Sequence, residues 1–169
     1  MLPRPHFAKA LGGKPLVAFG TLRDFVKVYI LKLRKEHIIK TGVGVWMFNT
    51  SGQVLLGLRL SQHGFNTWAA PGGKPKLGES LVDAAIRETW EETGIVLDKQ
   101  NVKCLAITHD RFDDCFYRTL HYKVVNVCQT PIVRELDKYA KWVWFDLDKL
   151  PNNLFLSAQN LLKQKVFGV

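Results

Sequence analysis

The chain has 169 residues, of which 47% are hydrophobic and 23% charged, so it is long enough to bury one globular core. No run of about 18 apolar residues occurs and no signal-peptide pattern opens the chain, so we expect neither a membrane-spanning helix nor secretion. The formal net charge of +9 raises the question of an anionic partner, and the distribution of that charge bears on the answer.

The cysteines and histidines argue against a disulfide-stabilised protein and against a zinc protein. Cys104, Cys115 and Cys128 are odd in number, widely spaced and never in a C-x-x-C pair, which argues against a disulfide framework and a zinc site. The histidines show no metal-ligand spacing either, so we expect ordinary surface or core roles for them. A reducing compartment, the cytoplasm, fits this pattern best.

The basic charge is concentrated in the first part of the chain. Residues 1–40 contain nine lysines and arginines but only two acidic side chains, which accounts for +7 of the net charge. Within them, 22–40 mixes apolar and basic residues and is compatible with a helix or a strand. We interpret 1–40 as a basic N-terminal extension or flanking element. A solvated flank is favoured over a nucleic-acid or membrane-surface contact or an organelle-targeting segment.

From residue 41 the pattern predicts strands and helices in alternation. Residues 42–49 and 53–60 are β-rich runs joined by Thr-Ser-Gly, which is typical of a hairpin. The other predicted elements are strands at 67–70, 103–109, 115–128 and 141–147, helices at 80–93 and 152–165, a loop at 71–80 and a polar turn at 110–114. This order favours an α/β fold in which helices pack on a mixed sheet.

The predicted helix at 80–93 carries an unusual concentration of negative charge. Ser80 and Gly94 mark its ends as a capping residue and a stop. Glu88, Glu91 and Glu92 stand at i, i+3 and i+4, so they share one face and repel one another. A solvated face neutralised by nearby basic residues is one explanation. A divalent cation is the other, because hard oxygen ligands suit Mg²⁺ or Mn²⁺.

The spacing of residues around these glutamates resembles the Nudix box, G-x5-E-x7-R-E-U-x-E-E-x-G-U, where U is aliphatic. Eight of its nine specified positions match, and the ninth is Thr89, where an aliphatic residue is usual. We expect this departure to affect packing more than chemistry. The matching residues are Gly73, Glu79, Arg87, Glu88, Glu91, Glu92, Gly94 and Ile95.

The resemblance implies a Nudix hydrolase domain over residues 41–169, with an α/β/α sandwich around a mixed β-sheet. It is similar to the MutT-like branch, which implies Mg²⁺- or Mn²⁺-dependent hydrolysis of a (deoxy)nucleoside triphosphate to the monophosphate and pyrophosphate. The alternatives are ADP-ribose, a nucleotide sugar, a dinucleoside polyphosphate or a capped RNA end. A non-catalytic nucleotide- or RNA-binding module is the alternative of another class, and a homodimer stays open.

The resemblance also implies roles for individual residues of the box. Glu88, Glu91 and Glu92 match the metal-binding glutamates, and the carbonyl of Gly73 matches a backbone metal ligand. Arg87 matches the arginine that orients the glutamates, which places it with Glu88 and Glu91 in the catalytic group. Glu79 is expected to be structural.

Outside the box, the resemblance implies less specific roles. Arg59 aligns with a phosphate-contacting arginine, and Lys74 follows the glycine turn toward the polyphosphate. Glu135 or Asp137 is the candidate general base, and the acids of the turn at 110–114 are competitors. Asn153, with its neighbour Asn152, is a candidate for reading the base, although turn and cap chemistry would explain both.

Overall fold

The computed structural model describes Arg23, residues 39–112 and residues 115–168. The basic segment therefore lies outside the described residues, apart from Arg23 and positions 39 and 40, as do Asp113 and Asp114 of the expected turn. No helix within the described ranges is long and apolar enough to cross a membrane.

The described chain forms strands with one helix between β4 and β5 and another after β7. The strands are β1 (Ile39–Asn49), β2 (Val54–Arg59), β3 (Trp68–Ala69), β4 (Gly72–Gly73), β5 (Lys103–Arg111), β6 (Phe116–Val127) and β7 (Tyr139–Phe145). The helices are α1 (Leu81–Thr93) and α2 (Leu156–Leu162), and single 3-10 turns lie at Lys99–Asn101 and Leu147–Lys149.

Strand β1 is the centre of the sheet, because it is the third of five strands in the order β3-β2-β1-β6-β5. It runs parallel to β6 and antiparallel to β2 and β4. Strand β5 pairs with β6 on the far side, and β3 and β7 pair with β2, all antiparallel. The sheet is therefore mixed, which confirms the predicted α/β class.

Side chains alternate along β1 between two apolar layers, one on each face of the sheet. Val43, Val45 and Met47 face α1 and pack with its Ala84 and Ala85. On the opposite face, Trp46 and Phe48 pack with a second cluster that includes Leu154, Ala158 and Leu161 of the α2 region. A buried aliphatic side chain contributes about 1.5–3 kcal/mol, so both layers stabilise the sheet. This arrangement is the expected α/β/α sandwich.

Three predicted boundaries were wrong. The loop at 71–80 contains β4, in which Gly72 pairs with Gly44 so closely that a Cβ at Gly72 would overlap the Val43 carbonyl oxygen. Strand β5 continues to Arg111, so Asp110 is in a strand rather than in a turn. Helix α2 occupies only Leu156–Leu162, because the residues from 152 to 155 enter it as an extended segment bridged to β3.

Candidate functional site

Helix α1 is delimited by the caps that its sequence predicts. The Ser80 hydroxyl accepts a hydrogen bond from the Asp83 amide at 3.2 Å, which satisfies one free donor of the first turn. At the other end, Gly94 adopts φ 73°, and its N–H donates to the Trp90 carbonyl. These caps fix which residues of the acidic stretch lie on the last two turns.

Arg87 binds three carboxylates of the box at once. Its Nε and Nη2 donate to the two oxygens of Glu79 at 2.7 and 2.8 Å, a bidentate ion pair. Its Nη1 donates to Glu88 Oε1 and to Glu91 Oε2, each at 2.8 Å. Its Nη2 also donates to the Lys74 carbonyl at 3.0 Å. One guanidinium thus fastens the glycine loop to the helix and orients two glutamates.

Glu79 connects Arg87 to the backbone of the loop before the helix, and these contacts support the structural role proposed for it. Its hydrogen bonds from Arg87 and then from the Lys76 backbone lower the pKa of Glu79 to about 2, so it stays ionised. The Lys76 N–H donates to Glu79 Oε2 at 2.8 Å. The carboxylate therefore closes the loop between β4 and α1.

Glu92 is the buried glutamate of the box, and its carboxyl group contacts β4. It is 3% exposed, and its Oε2 accepts the Gly72 N–H at 2.9 Å. Burial raises the pKa of Glu92 to about 8 despite that hydrogen bond, and the charges of Glu88 and Glu135 add to the rise. A cation beside it would favour the ionised form, because an opposite charge stabilises a carboxylate.

Gly73 allows Glu88 to lie against β4. A Cβ at Gly73 would overlap the Glu88 carboxyl group, so only glycine leaves room for this contact. The Gly73 backbone and the Glu88 carboxylate are consequently neighbours, as the metal-ligand prediction requires.

No cluster of three or more acidic, histidine or cysteine side chains is preassembled for a metal within the described ranges. Arg87 draws Glu88 and Glu91 toward itself, whereas Glu92 turns to Gly72. The chemistry of these donors nevertheless fits Mg²⁺ or Mn²⁺, because carboxylate oxygens are the hard ligands that these cations prefer. A buried oxygen, Glu135 Oε2, has no hydrogen-bond partner among the described residues, and such an acceptor calls for a cation or a water donor.

A cavity of about 610 Å³ adjoins these carboxylates. Five of the residues predicted to bind metal or substrate border it, namely Arg59, Gly73, Lys74, Glu88 and Glu92. It extends across β1 from the glycine strand β4 to β6. The structure therefore brings the core of the predicted site together beside a space large enough for a nucleotide.

Arg59 is held rigidly on the cavity wall. Its guanidinium donates to the His63 carbonyl, to the Ser61 hydroxyl at 2.8 Å and to the Tyr139 hydroxyl at 3.2 Å. The group also lies over the Phe155 ring, 4.8 Å from its centroid. Its place fits the predicted contact with an anionic substrate.

Of the other candidates, Asp110 and Asp137 border the cavity, whereas Glu135 and Asn153 do not. Glu135 pairs with Lys138 at 2.8 Å, while its rival Asp137 does border the cavity. Asn153 donates from its amide to the Asn66 carbonyl and is outside the cavity wall, so the structure gives it a loop contact. Its role in reading a base stays a prediction.

The sequence analysis missed one group of cavity residues and misplaced another, whose Asp110 it named only as a turn acid competing for the general-base role. One is aromatic: His63, Phe112, Tyr117 and Phe155 surround part of the cavity, with the His63 and Phe112 ring centroids 4.3 Å apart. The other is polar and centres on Asp110, which is buried between β5 and α2. Members of both groups are far apart in sequence, and alternation along β5 was the one signal that could have placed Asp110 inward.

Comparison with known proteins agrees with this architecture. A family model described as the NUDIX domain matches residues 39–164. An RNA pyrophosphohydrolase of Psychrobacter cryohalolentis is 42% identical over 113 residues, which cover 67% of this chain and 58% of that protein. The chain thus spans little more than half the length of this curated relative.

A second relative and a solved structure are also similar to this chain. An m7GpppN-mRNA hydrolase of Homo sapiens is 33% identical over 85 residues, covering 49% of this chain and 26% of that protein. The crystal structure of a MutT NUDIX hydrolase from Burkholderia pseudomallei superposes with a TM-score of 0.70 at 27% identity, covering 76% of this chain and 98% of that one. The matched domain, the sandwich fold and the carboxylate-bearing helix together show that the chain belongs to the NUDIX domain family.

Proposed function

We propose that the chain hydrolyses a phosphoanhydride bond in a nucleoside diphosphate-linked compound with Mg²⁺ or Mn²⁺. The leading substrate class is a (deoxy)nucleoside triphosphate, cleaved to the monophosphate and pyrophosphate. The observation that carries the proposal is the group of carboxylates oriented by Arg87 at one end of a nucleotide-sized cavity. ADP-ribose, nucleotide sugars and dinucleoside polyphosphates share the same bond and remain alternatives.

The charges of the site suit such a substrate. Glu88, Glu91, Glu92 and the Gly73 carbonyl would hold the cation, which supplies charge neutralisation and lowers the pKa of an attacking water. Arg59 and Lys74 offer positive charge on the cavity wall to the outer phosphate oxygens. Because hydrogen bonds hold the Arg59 guanidinium in place before substrate binds, its positive charge needs little reorganisation when charge develops on the leaving oxygen.

Glu135 is the candidate for removing the proton from water. Its Oε1 pairs with Lys138, which leaves Oε2 as a buried acceptor without a donor. The charge of Glu135 raises the pKa of Glu92, so the two carboxyl groups are electrostatic neighbours. An acceptor so placed is suited to bind a water molecule and hold its proton.

A triphosphate at the 5′ end of RNA is a second candidate substrate. The relative from Psychrobacter cryohalolentis bears the name RNA pyrophosphohydrolase, and such a reaction would break the same kind of bond. The cavity wall also carries Lys74 and Lys138 beside Arg59, a positive charge that an RNA backbone would share. Free and RNA-linked triphosphates thus need a direct comparison.

The test is a panel of free nucleoside triphosphates, 5′-triphosphate RNA, ADP-ribose, a nucleotide sugar and a diadenosine polyphosphate, first with Mg²⁺ and then with EDTA. Glu91→Gln should lower kcat by orders of magnitude without unfolding the domain. Asp148→Asn removes an exposed carboxylate elsewhere and serves as the matched control. Unchanged turnover in Glu91→Gln would show that the metal site is wrong, and no turnover of any compound would favour a binding module.

A further inference from the structure

The cavity extends from the carboxylates to a polar cluster on the other edge of β1. Two glycines of β1 form the surface between them. A Cβ at Gly42 would meet both Thr119 Oγ1, at 3.4 Å, and the Gly73 carbonyl oxygen, at 3.7 Å. A Cβ at Gly44 would lie 3.3 Å from His121 Nδ1. The absent side chains therefore leave the polar cluster open to the same space as the carboxylates.

The direction of each hydrogen bond in the cluster can be assigned from Trp46. An indole N–H only donates, so His121 Nδ1 accepts from it at 3.2 Å. Burial lowers the pKa of His121 to about 4, so the ring is neutral near pH 7 and carries its hydrogen on Nε2. That hydrogen points to Thr108 Oγ1 at 3.0 Å. Thr108 in turn donates its own hydrogen to Asp110 Oδ2, also at 3.0 Å.

Asp110 receives all its hydrogen bonds from neutral groups. Thr108 and Thr119 donate to Oδ2, the latter at 2.7 Å, and Asn160 donates to Oδ1 at 3.0 Å. The residue is 1% exposed yet borders the cavity, and no lysine or arginine forms an ion pair with it among the described residues. A buried carboxylate without a cation gains from every further donor.

Asp110 and Thr119 retain the capacity only to accept further hydrogen bonds. The hydrogens of Trp46, His121, Thr108 and Thr119 are all engaged within it. A carboxylate offers about four acceptor positions and Asp110 uses three of them, which leaves one on Oδ1; the Thr119 hydroxyl oxygen also keeps its lone pairs. We call this surface, formed by Asp110 and Thr119, the acceptor floor.

We propose that the acceptor floor binds the nucleobase of the substrate and selects bases that present an amino group over the corresponding oxo bases. This inference rests on the proposed function, since the cation and carboxylates would hold the phosphates at the other end of the cavity. Cytosine and guanine carry amino groups, whereas uracil and xanthine present a carbonyl at the equivalent position. A carbonyl oxygen against the acceptor floor would meet lone pairs and leave the carboxylate without its donor.

The expected discrimination follows from the loss of one hydrogen bond to a charged acceptor. Such a bond contributes about 1.5–3 kcal/mol, which corresponds to roughly 10- to 100-fold in kcat/KM. The triphosphate is the same in both members of a pair, and only the substituent on the base differs. The ratio of their kcat/KM values therefore reports the contact with the base.

The experiment measures kcat/KM of the full chain with Mg²⁺ for two pairs of substrates. One pair is cytidine triphosphate and uridine triphosphate, and the other is guanosine triphosphate and xanthosine triphosphate. We expect the amino member to be favoured roughly 10- to 100-fold in at least one pair. A second readout needs no turnover: calorimetric titration with cytidine and uridine monophosphates, and with guanosine and xanthosine monophosphates, without added metal. In the pair that shows the preference in kcat/KM, the monophosphate with the amino group should also bind more tightly.

Two substitutions test whether Asp110 and Thr119 cause the preference for the amino member. Asp110→Asn places an N–H donor where an acceptor stood, so the preference for the amino member within each pair should vanish or reverse. Thr119→Val keeps the shape and should weaken the preference. Thr41→Val, an exposed threonine on β1, is the matched control and should leave it unchanged.

The outcomes separate this inference from the proposed function. Hydrolysis with equal kcat/KM within both pairs would overturn the inference and leave the function standing. Absence of hydrolysis would overturn the function, and the monophosphate titrations would then decide the inference alone. Equal affinities within both pairs, or no binding of any monophosphate, would overturn it.

Discussion

Replacing Gly73 with alanine tests whether the contact between β4 and Glu88 organises the site. A Cβ at Gly73 would lie closer than 3.0 Å to the Cδ and both oxygens of the Glu88 carboxyl group. Gly73 is not among the residues with positive φ, so the added methyl group acts through this contact and not through backbone strain. Glu88 must therefore move.

The size of the effect follows from what Glu88 loses. Its displacement breaks the 2.8 Å hydrogen bond from Arg87, which contributes about 1.5–3 kcal/mol. Glu88 can turn toward solvent, which offsets part of that cost, so the unfolding free energy should fall by only about 1–2 kcal/mol. Turnover should fall by roughly 10- to 100-fold or more, because a metal-binding carboxylate and its support are misplaced together.

Gly78→Ala, in the same loop, is the matched control. Gly78 has φ 80°, and a Cβ added there would have no other atom within 4 Å. Alanine at this position therefore strains the backbone but makes no new contact. It should cost about 1 kcal/mol of stability and leave turnover nearly intact. The assays are kcat/KM with Mg²⁺ and urea unfolding for both variants. Full activity of Gly73→Ala, or equal activity losses in the two variants, would refute this reasoning.

Three further predictions address other residues. Arg87→Lys cannot reproduce the bidentate bond to Glu79, so unfolding by urea should show a loss of about 1.5–3 kcal/mol together with a lower kcat. Glu135→Gln should lower kcat by about 10²–10⁴-fold with little change in Tm; a change in Tm alone would make Glu135 structural. His121 has its pKa lowered to about 4 from 6.5 by burial, so its contribution to stability is complete above pH 6.5 and is lost as pH falls through 4. His121→Phe should therefore lose roughly 3 kcal/mol less than the parent between pH 7 and pH 4, and parallel pH curves in urea unfolding would contradict this.

The acidic helix could be predicted well because the residues that define it lie close together in the sequence. The spacing of Glu88, Glu91 and Glu92 follows helical geometry, and Ser80 and Gly94 carry the signals of a helix start and stop within the same fifteen residues. Thr89, the departure from the box, is buried and donates its hydroxyl hydrogen to the Ala85 carbonyl at 2.8 Å. Its polar group is thus satisfied within the helix, and that the departure affects packing more than chemistry stays a prediction.

The acceptor floor could not be predicted because its parts are distant in sequence. Asp110 meets Thr119 across the pairing of β5 with β6, and Asn160 reaches it from α2, 50 residues away. Polar residues after an apolar run suggest a turn, so Asp110 was assigned to a turn although the strand continues through it. Tertiary hydrogen bonds, which the local pattern does not contain, satisfy its buried carboxylate.

The two edges of β1 separate tasks that could change independently. At Val43 and Gly44, β4 with its glycines pairs on one edge, while Leu120 and His121 of β6 pair on the other. A substitution in β5 or β6 can remodel one end of the cavity while the backbone hydrogen bonds that hold the glycine strand stay in place. The central strand thus keeps the spacing between the two ends of the cavity, so substitutions aimed at the proposed base contact can be made in β5 and β6 without changing the carboxylates.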